Sequence, residues 1–431
     1  MILRLPNSSQ RGMLVAAAFF ISVILAYYSI RNARASYFAG LQTLKGYERS
    51  THLEPGDARN WHLLGQYWHY NLEDTNTPRA IRAYLTALSL NPKSTETWLD
   101  LAAAYESEGD PASARDAYLQ AKKVYPLSAE VSWRYGNFLL RQGELESAFA
   151  EMRRAVEGDP KRAAEAFSRT LRVEPDAQKI MDRVLPPVPD VYLDVIQDQT
   201  STGHTENALR VWDRLAAMNP RLALPNVFAL VGALRAEKRT SEAQRVWNQA
   251  AVFAGLGELP DPPGSILWDG GFESGVSGAG FSWLFPEDFR AVQFSLDAEE
   301  KHSGTHSLRL TFDGKSNVNF MGICHYVSVQ PLTDYRFSAW VRTRALTSDQ
   351  GVRFQLRSLG ARSISGAVTP DVRGTSPWTR IELPWSSGAD IHELQVCLVR
   401  YPGEQLGNRI QGTAWIDDVA LVPESVGRAK P

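Results

Sequence analysis

The 431-residue sequence predicts a multidomain chain in which helical structure comes first and β structure follows. Residues 12–30 carry no charge and are long enough to form a single N-terminal transmembrane helix. Certain residue types then recur every 34 positions between about residues 37 and 254, which is typical of an α-solenoid. Short alternating segments at residues 266–424 predict a β-sandwich of the jelly-roll type. Residues 1–11 would form a short tail, and the Gly- and Pro-rich residues 255–265 a linker.

The composition excludes several classes of protein. Hydrophobic residues make up 44% of the chain and charged residues 22%, which is ordinary globular material. The formal net charge is −2, so no overall positive charge favours nucleic acid as a partner. Two cysteines are too few for a small disulfide-stapled fold or for a zinc site built from several cysteines.

The apolar N-terminal segment has two interpretations. Secretory signal segments have an apolar stretch of about 7–15 residues, and the 19 residues of 12–30 favour an uncleaved membrane anchor. The small residues Ala33 and Ala35 before Ser36 offer a cleavage site, so a cleaved signal peptide is the alternative. Positive charges stand on both sides of the segment and leave its orientation open.

Prolines and glycines mark the period of the helical region. Pro92, Pro126 and Pro160 are spaced by 34 residues, and Gly109 and Gly143 share that spacing. The best-formed repeat contains Trp98, Leu101, Ala102, Tyr105, Gly109, Ala114, Tyr118, Ala121 and Pro126. This pattern resembles the tetratricopeptide repeat, a pair of helices that pack closely because small residues lie between them.

The resemblance covers residues 57–160 and, less completely, residues 190–254. It implies that the aromatic residues of the repeats belong to the core. A lone helix is expected before Pro55, and residues 161–200 follow no repeat frame. Tetratricopeptide arrays bind proteins or peptides on their concave face, so the resemblance implies a protein partner whose identity stays open.

The C-terminal region is predicted to contain about nine short strands. They lie near residues 266–268, 291–296, 307–312, 323–329, 335–343, 352–357, 378–383, 392–400 and 414–422. The opening residues 268–273 (WDGGFE) resemble the start of carbohydrate-binding jelly rolls, and residues 302–310, 335–342 and 415–419 fit the same family in order. The resemblance implies a galactose-binding-like fold, which also serves roles other than sugar binding.

One carboxylate in the last predicted strand points toward the core. Asp417 falls on the apolar phase of this strand, where an unpaired charge is costly. In the resembling family a structural calcium ion is often held there, which implies Glu273 and Asp417 as ligands and the carbonyls of Lys301 and Ser303 as further donors. The alternative is a hydrogen-bonded Asp417 that ties the two ends of the domain together.

A glycan site would need polar and aromatic side chains on one face of a sheet. Alternation along three predicted strands places such residues opposite the apolar ones: Tyr326, Arg353, Gln355, Arg357 and Gln395. Trp283, Trp378 and Trp385 lie in or near loops and could line the same face. Solvated arginines and packed tryptophans are the alternative interpretation.

The same alternation puts Cys324 and Cys397 on one face of neighbouring strands. Export of the domain would allow a cross-strand disulfide, and two free thiols are the alternative.

The sequence contains no H-E-x-x-H pattern, nucleophile elbow, Walker loop or dinucleotide fingerprint. We therefore expect a non-catalytic scaffold at the bacterial inner membrane, with residues 31–431 in the periplasm or outside the cell. Its repeats would bind a protein and its jelly roll a glycan, in the assembly or export of a surface polysaccharide. The rival interpretations are a pure protein adaptor with a structural jelly roll and, less favoured, a glycosidase-associated enzyme.

Overall fold

The computed structural model describes residues 8–73, 75–257, 259, 262–275, 278–286, 291–359 and 366–424. Residues 1–7 of the predicted tail and residues 258, 260 and 261 of the predicted linker lie outside this part of the chain. The chain divides into two compact units, residues 1–191 and residues 192–431. The last helices of the predicted array therefore belong to the same unit as the sheets.

The first unit is helical. Its helices are α1 (Ser8–Gly40), α2 (Leu44–Leu53), α3 (Ala58–Tyr70), α4 (Thr77–Leu90), α5 (Thr95–Ser107), α6 (Pro111–Val124), α7 (Ala129–Gln142), α8 (Leu145–Gly158), α9 (Ala163–Leu171) and α10 (Ala177–Arg183). Asp57, Ser94 and Ser128 begin α3, α5 and α7, and each accepts a hydrogen bond from an amide two or three residues later. These helices pair as α3–α4, α5–α6 and α7–α8.

Helix α1 includes a 30-residue stretch, Arg11–Gly40, whose most apolar 18-residue window has a mean hydropathy of 2.2. Its length and composition fit a membrane anchor or a signal sequence. The end of α1 packs against α2, where Ala35 is buried and Arg31 Nε lies 2.8 Å from Glu54 Oε1. The expectation of a lone helix before Pro55 is therefore wrong, because α1 itself supplies the partner of α2.

Close helix packing explains the small residues of the repeats. A Cβ added to Gly65 in α3 would lie 2.5 Å from the Tyr84 ring in α4. Trp61 and Trp98 are only half-buried, which corrects their expected place in the core. Their indole N–H groups donate to the carbonyls of Pro55 and Pro92, 2.9 Å away in each case, and so bind each repeat to the turn before it.

The second unit combines helices with two sheets. Its helices are α11 (Pro189–Ser201, which begins in the first unit), α12 (Thr205–Ala216), α13 (Phe228–Ala236) and α14 (Thr240–Phe253). Its strands are β1 (Val292–Asp297), β2 (Ser307–Asp313), β3 (Phe320–Ser328), β4 (Asp334–Leu346), β5 (Arg353–Leu359), β6 (Gly366–Val368), β7 (Gly374–Ser386), β8 (Glu393–Arg400) and β9 (Gln411–Pro423).

The strands form two antiparallel sheets, a five-stranded one in the order β1-β2-β9-β4-β7 and a four-stranded one in the order β3-β8-β5-β6. Apolar side chains such as Phe337 and Phe354, whose ring centroids lie 5.0 Å apart, join the two sheets in one core. Residues 266–268 are not a strand, contrary to expectation, and β6 had no predicted counterpart.

Candidate functional site

The four-stranded sheet brings the predicted glycan-binding residues together. Tyr326 in β3 lies opposite Gln395 in β8, and Gln395 lies opposite Arg357 in β5. Residues directly opposite each other in a sheet point to the same face. The three side chains therefore form one row across the sheet, and the Gln395 Nε2 amide donates to the Tyr326 hydroxyl at 3.2 Å.

A second row lies two residues along the strands. Cys324 and Cys397 are opposite each other and are joined in a disulfide, and Gln355 lies opposite Cys397. The Gln355 Oε1 atom is buried and has no hydrogen-bond partner among the described residues. A buried acceptor without a donor is costly, so Gln355 is a candidate contact for a ligand hydroxyl.

Arg353 stands at the far end of the same face. Its Nη2 lies 3.2 Å from Asp371 Oδ2, and its guanidinium lies 5.2 Å from the ring centroid of Tyr401. With 15% of its side chain exposed, Arg353 is partly held by these partners. We call the set Tyr326, Arg353, Gln355, Arg357 and Gln395 the polar strip.

An arginine from the helical part of the second unit covers one end of the polar strip. The Arg235 guanidinium in α13 lies 3.7 Å from the ring centroid of Tyr326, and its Nε donates to Glu393 Oε1 at 2.6 Å. One ring face of Tyr326 is thus occupied. No local sequence pattern points to Arg235 or Glu393, because 158 residues separate them.

Two of the three predicted tryptophan platforms, Trp283 and Trp385, are wrong. Trp283 is 1% exposed, stacks on Phe272 at 4.9 Å between ring centroids, and donates its indole N–H to Asp269. Trp385 is 8% exposed and packs against Tyr335. Neither ring presents a face to solvent on which a sugar could stack, because both fill the core between the sheets.

The third predicted tryptophan, Trp378, lies in β7 of the five-stranded sheet and not beside the polar strip. It belongs to a group of more exposed aromatic residues with Trp340 and the turn residue His302. The His302 ring stacks on Trp340 with centroids 3.9 Å apart, and Trp378 lies 5.7 Å from His302. A cavity of about 430 Å³ beside Trp340 is lined by Arg380 and Asp418 among others. This cluster is a second surface on which a ligand could be tested.

The predicted calcium ligands hold the turn at residues 302–306. Asp417 Oδ2 accepts from the amides of His302 and Ser303 at 2.7 and 3.1 Å, and Glu273 Oε1 accepts from the amides of Thr305 and His306. The Ser303 hydroxyl donates to Asp418 and the Lys301 ammonium to the carbonyl of Ala298.

The environments of these two carboxylates differ. Burial raises the pKa of Asp417 to about 6. Burial also acts on Glu273, but hydrogen bonds from Thr305 and His306 outweigh it and lower the pKa of Glu273 below its ordinary value. Backbone amides thus donate hydrogen bonds to both carboxylates. Calcium binding by Glu273 and Asp417 stays a prediction.

The first helix of each repeat contributes to a polar ladder. Arg134 Nη1 in α7 donates to Asp100 Oδ1 in α5 at 3.1 Å, and Gln66 Nε2 in α3 donates to Asp100 Oδ2 at 2.9 Å. Similar links join Glu106 to Arg141, Glu130 to Arg162 and Asn137 to Arg169. Each link joins residues 32–35 positions apart, which is about one repeat. The polar ladder therefore runs from repeat to repeat along the array, and it is the candidate surface for binding a partner.

Comparison with known proteins supports the helical assignment. Residues 70–123 and 99–162 match the family model of the tetratricopeptide repeat. The chain carries tetratricopeptide repeats. Searching the curated proteins yields no similar sequence.

Solved structures are similar to parts of the chain. A family 16 carbohydrate-binding module is 16% identical with a TM-score of 0.27, over 36% of this chain and 99% of that protein. TmCBM61 in complex with β-1,4-galactotriose is 20% identical with a TM-score of 0.27, over 37% and 99%. Pseudomonas aeruginosa pilF is 19% identical with a TM-score of 0.26, over 46% and 92%. Because these TM-scores lie below 0.5, function is inferred from the chain's own residues.

Proposed function

We propose that this protein is a membrane-anchored, non-catalytic scaffold whose repeats bind a protein and whose jelly roll binds a glycan. The polar strip is the observation that carries the glycan half. It sets amide, guanidinium and phenol groups on one face of one sheet, and such convergent polar groups suit sugar hydroxyls or acidic substituents. Arginine forks favour carboxylate-bearing glycans over neutral ones.

The protein-binding half rests on the repeats. Tetratricopeptide repeats suggest protein–protein interaction, and the polar ladder offers alternating charges along one row of helices. A partner that lies along this row would exchange hydrogen bonds with its exposed arginines. Arg141, with 54% of its side chain exposed, is the ladder residue most open to such a contact.

Two features favour an anchored protein outside the cytoplasm, at a bacterial inner membrane. Ala35, in the alternative cleavage site, is buried within α1, where a peptidase would need an extended and accessible segment. The disulfide between Cys324 and Cys397 favours an oxidising compartment. Alkaline phosphatase fused after residue 431 should be active in a bacterial host, and a stable but inactive fusion would reject this topology.

The glycan proposal is tested on the full chain in detergent with a panel of bacterial and plant polysaccharides. We expect binding to one acidic class, weakened about 10-fold by Arg357→Ala or Gln395→Ala, since a hydrogen bond to a charged group contributes about 1.5–3 kcal/mol. The matched control is Arg336→Ala in β4 of the other sheet, half exposed and outside both the polar strip and the cavity beside Trp340. Equal loss in all three variants would reject the strip as the site.

Calcium is tested in the same assay. We propose that Glu273 and Asp417 hold a structural calcium ion, which would stabilise the turn at residues 302–306 through hard oxygen ligands. A chelator should then lower the thermal stability of the wild-type chain and leave that of Asp417→Asn unchanged. Identical melting of wild type with and without chelator would leave both carboxylates as hydrogen-bond acceptors only.

The second candidate function is a pure protein adaptor. The cover that Arg235 places on Tyr326 favours it, because this contact uses part of the sheet face for packing within the second unit. Absence of glycan binding by the folded chain, with a partner still captured through the repeats, would select this alternative.

A further inference from the structure

A histidine in the first repeat faces two carboxylates of the second without a hydrogen bond between them. The Nε2 atom of His62 in α3 lies 3.5 Å from Asp100 Oδ2 and 3.8 Å from Glu96 Oε1. His62 is 8% exposed, and no described residue gives its buried Nε2 a hydrogen-bond partner. Buried polar atoms in proteins nearly always have a partner, and a cation bound between the ring nitrogen and the two carboxylates would be a partner for all three.

The other ring nitrogen is already engaged. His62 Nδ1 lies 2.7 Å from Thr97 Oγ1, which in turn lies 2.7 Å from Ser94 Oγ. Ser94 Oγ also accepts the amide of Thr97, so the hydroxyl chain is consistent when Thr97 donates to Ser94 and accepts from Nδ1–H. With the proton on Nδ1, the Nε2 lone pair is directed at the carboxylates, and this is the tautomer that a metal ion at Nε2 would select.

The carboxylates are well placed as metal ligands. Glu96 and Asp100 are four residues apart on α5 and therefore share a helix face. Hydrogen bonds from Gln66 and Arg134 orient the Asp100 carboxylate, and Oδ2 keeps a further lone pair. Glu96, with 75% of its side chain exposed, is free to adjust.

The distances suit a tetrahedral ion. Bonds of about 2.0–2.2 Å to nitrogen and oxygen place two tetrahedral ligands about 3.3–3.6 Å apart. His62 Nε2 and Asp100 Oδ2 already have this separation, and the three candidate ligand atoms all lie within 4.8 Å of one another. One imidazole and two carboxylates are a donor set that Zn²⁺ accepts, with the Thr97 hydroxyl as the outer partner of the imidazole.

We propose that His62, Glu96 and Asp100 bind a divalent transition-metal ion of the Zn²⁺ type between the first two repeats. Three protein ligands leave a fourth position for water or for a donor group of a bound partner. The ion would link α3 to α5 at one end of the polar ladder. This site lies in the first unit and shares no residue with the predicted calcium site, which lies in the second unit.

The test is a titration of the full chain in detergent, first stripped with a chelator and kept in excess Ca²⁺, with Zn²⁺ by calorimetry and with Co²⁺ by visible absorption. We expect one Zn²⁺ per chain and a Co²⁺ spectrum typical of nitrogen and oxygen coordination. Loss of an outer-shell partner of a metal ligand weakens metal binding by about 10–100-fold. We therefore expect Thr97→Val to weaken Zn²⁺ binding by about 10-fold or more, and Glu96→Gln, which removes a direct ligand, by at least as much. His62→Asn should abolish it.

The matched control is His69→Asn. His69 lies on the same helix, is also buried, and has a ring nitrogen without a described partner, but it has no place in this cluster of ligand atoms. It should bind Zn²⁺ like wild type. Glu96 is exposed, so Glu96→Gln should leave the fold intact. The test therefore still distinguishes the outcomes if the buried His62 variant unfolds. Failure of wild type to bind Zn²⁺, or binding unchanged in Glu96→Gln and Thr97→Val, would overturn the proposal.

Discussion

The repeats and the jelly roll use buried carboxylates in opposite ways. Asp100 in the repeats accepts hydrogen bonds from the Gln66 amide one repeat before it and from the Arg134 guanidinium one repeat after it. Asp417 in the jelly roll meets backbone amides from more than 110 residues away. The repeats therefore build their polar contacts between neighbours in sequence, whereas the jelly roll depends on closing a long chain. Closing so long a stretch of chain costs conformational entropy, which the contacts of the jelly roll have to offset.

The largest test of this contrast is removal of the disulfide by the double change Cys324→Ser and Cys397→Ser. The bond closes a loop with a sequence separation of 73 residues, and loop entropy of that size is worth about 4 kcal/mol. Hydrogen exchange should show a loss of this order in β3 and β8 and none in α5–α8. Reduction of the wild-type chain should reproduce the pattern, and equal loss in the repeats would contradict it.

The next test is the pH dependence of Asp417. Its pKa is about 6 in the folded chain against an ordinary 3.8, so the folded state binds a proton more tightly than the unfolded state. With calcium removed by a chelator, the wild-type chain should therefore gain stability relative to Asp417→Asn as the pH falls from about 6 to 4, by up to about 3 kcal/mol.

Glu273 provides the control for this pH effect. Because its folded pKa is lowered, Glu273 contributes stability that is present above its unfolded pKa of 4.5 and lost as the pH falls through the folded value. The difference between wild type and Glu273→Gln should have the opposite sign, measured by denaturant unfolding at several pH values. The same sign for both residues would refute the assignment.

A smaller effect is expected from packing within one repeat. Gly65→Ala would place a methyl group 2.5 Å from the Tyr84 ring and should destabilise α3–α4 by about 1–3 kcal/mol. Gly232→Ala in α13 meets nothing within 4 Å and should stabilise its helix by about 0.5–1 kcal/mol. Hydrogen exchange of the two helices measures both, and destabilisation by Gly232→Ala would break the comparison.

The smallest change in stability is expected for an exposed ion pair of the polar ladder. Arg141 and Glu106 form an ion pair in which Arg141 is 54% exposed. A double-mutant cycle with alanine should give a coupling of about 0.5 kcal/mol that decreases in high salt. A coupling above 2 kcal/mol would show that the ladder stabilises the array rather than serving a partner.

The sequence was sufficient for those features of the site that depend on alternation. Tyr326, Arg357 and Gln395 share a face because each alternates with apolar residues along its own strand, and because β3, β8 and β5 are adjacent in the sheet. The cysteine pair follows from the same rule. The prediction for Trp283 is wrong because a tryptophan in a loop is exposed or buried according to how that loop folds back, and no local sequence pattern specifies this.

By itself the sequence determined the 34-residue repeat, the apolar first helix and the two-residue alternation of the strands, because each is a local periodicity set by backbone geometry. Only the tertiary structure decided that Arg235 covers Tyr326, that amides surround Asp417, and that His62 faces Glu96 and Asp100. Those contacts join separate elements, and their geometry exists only after the helices and sheets have packed.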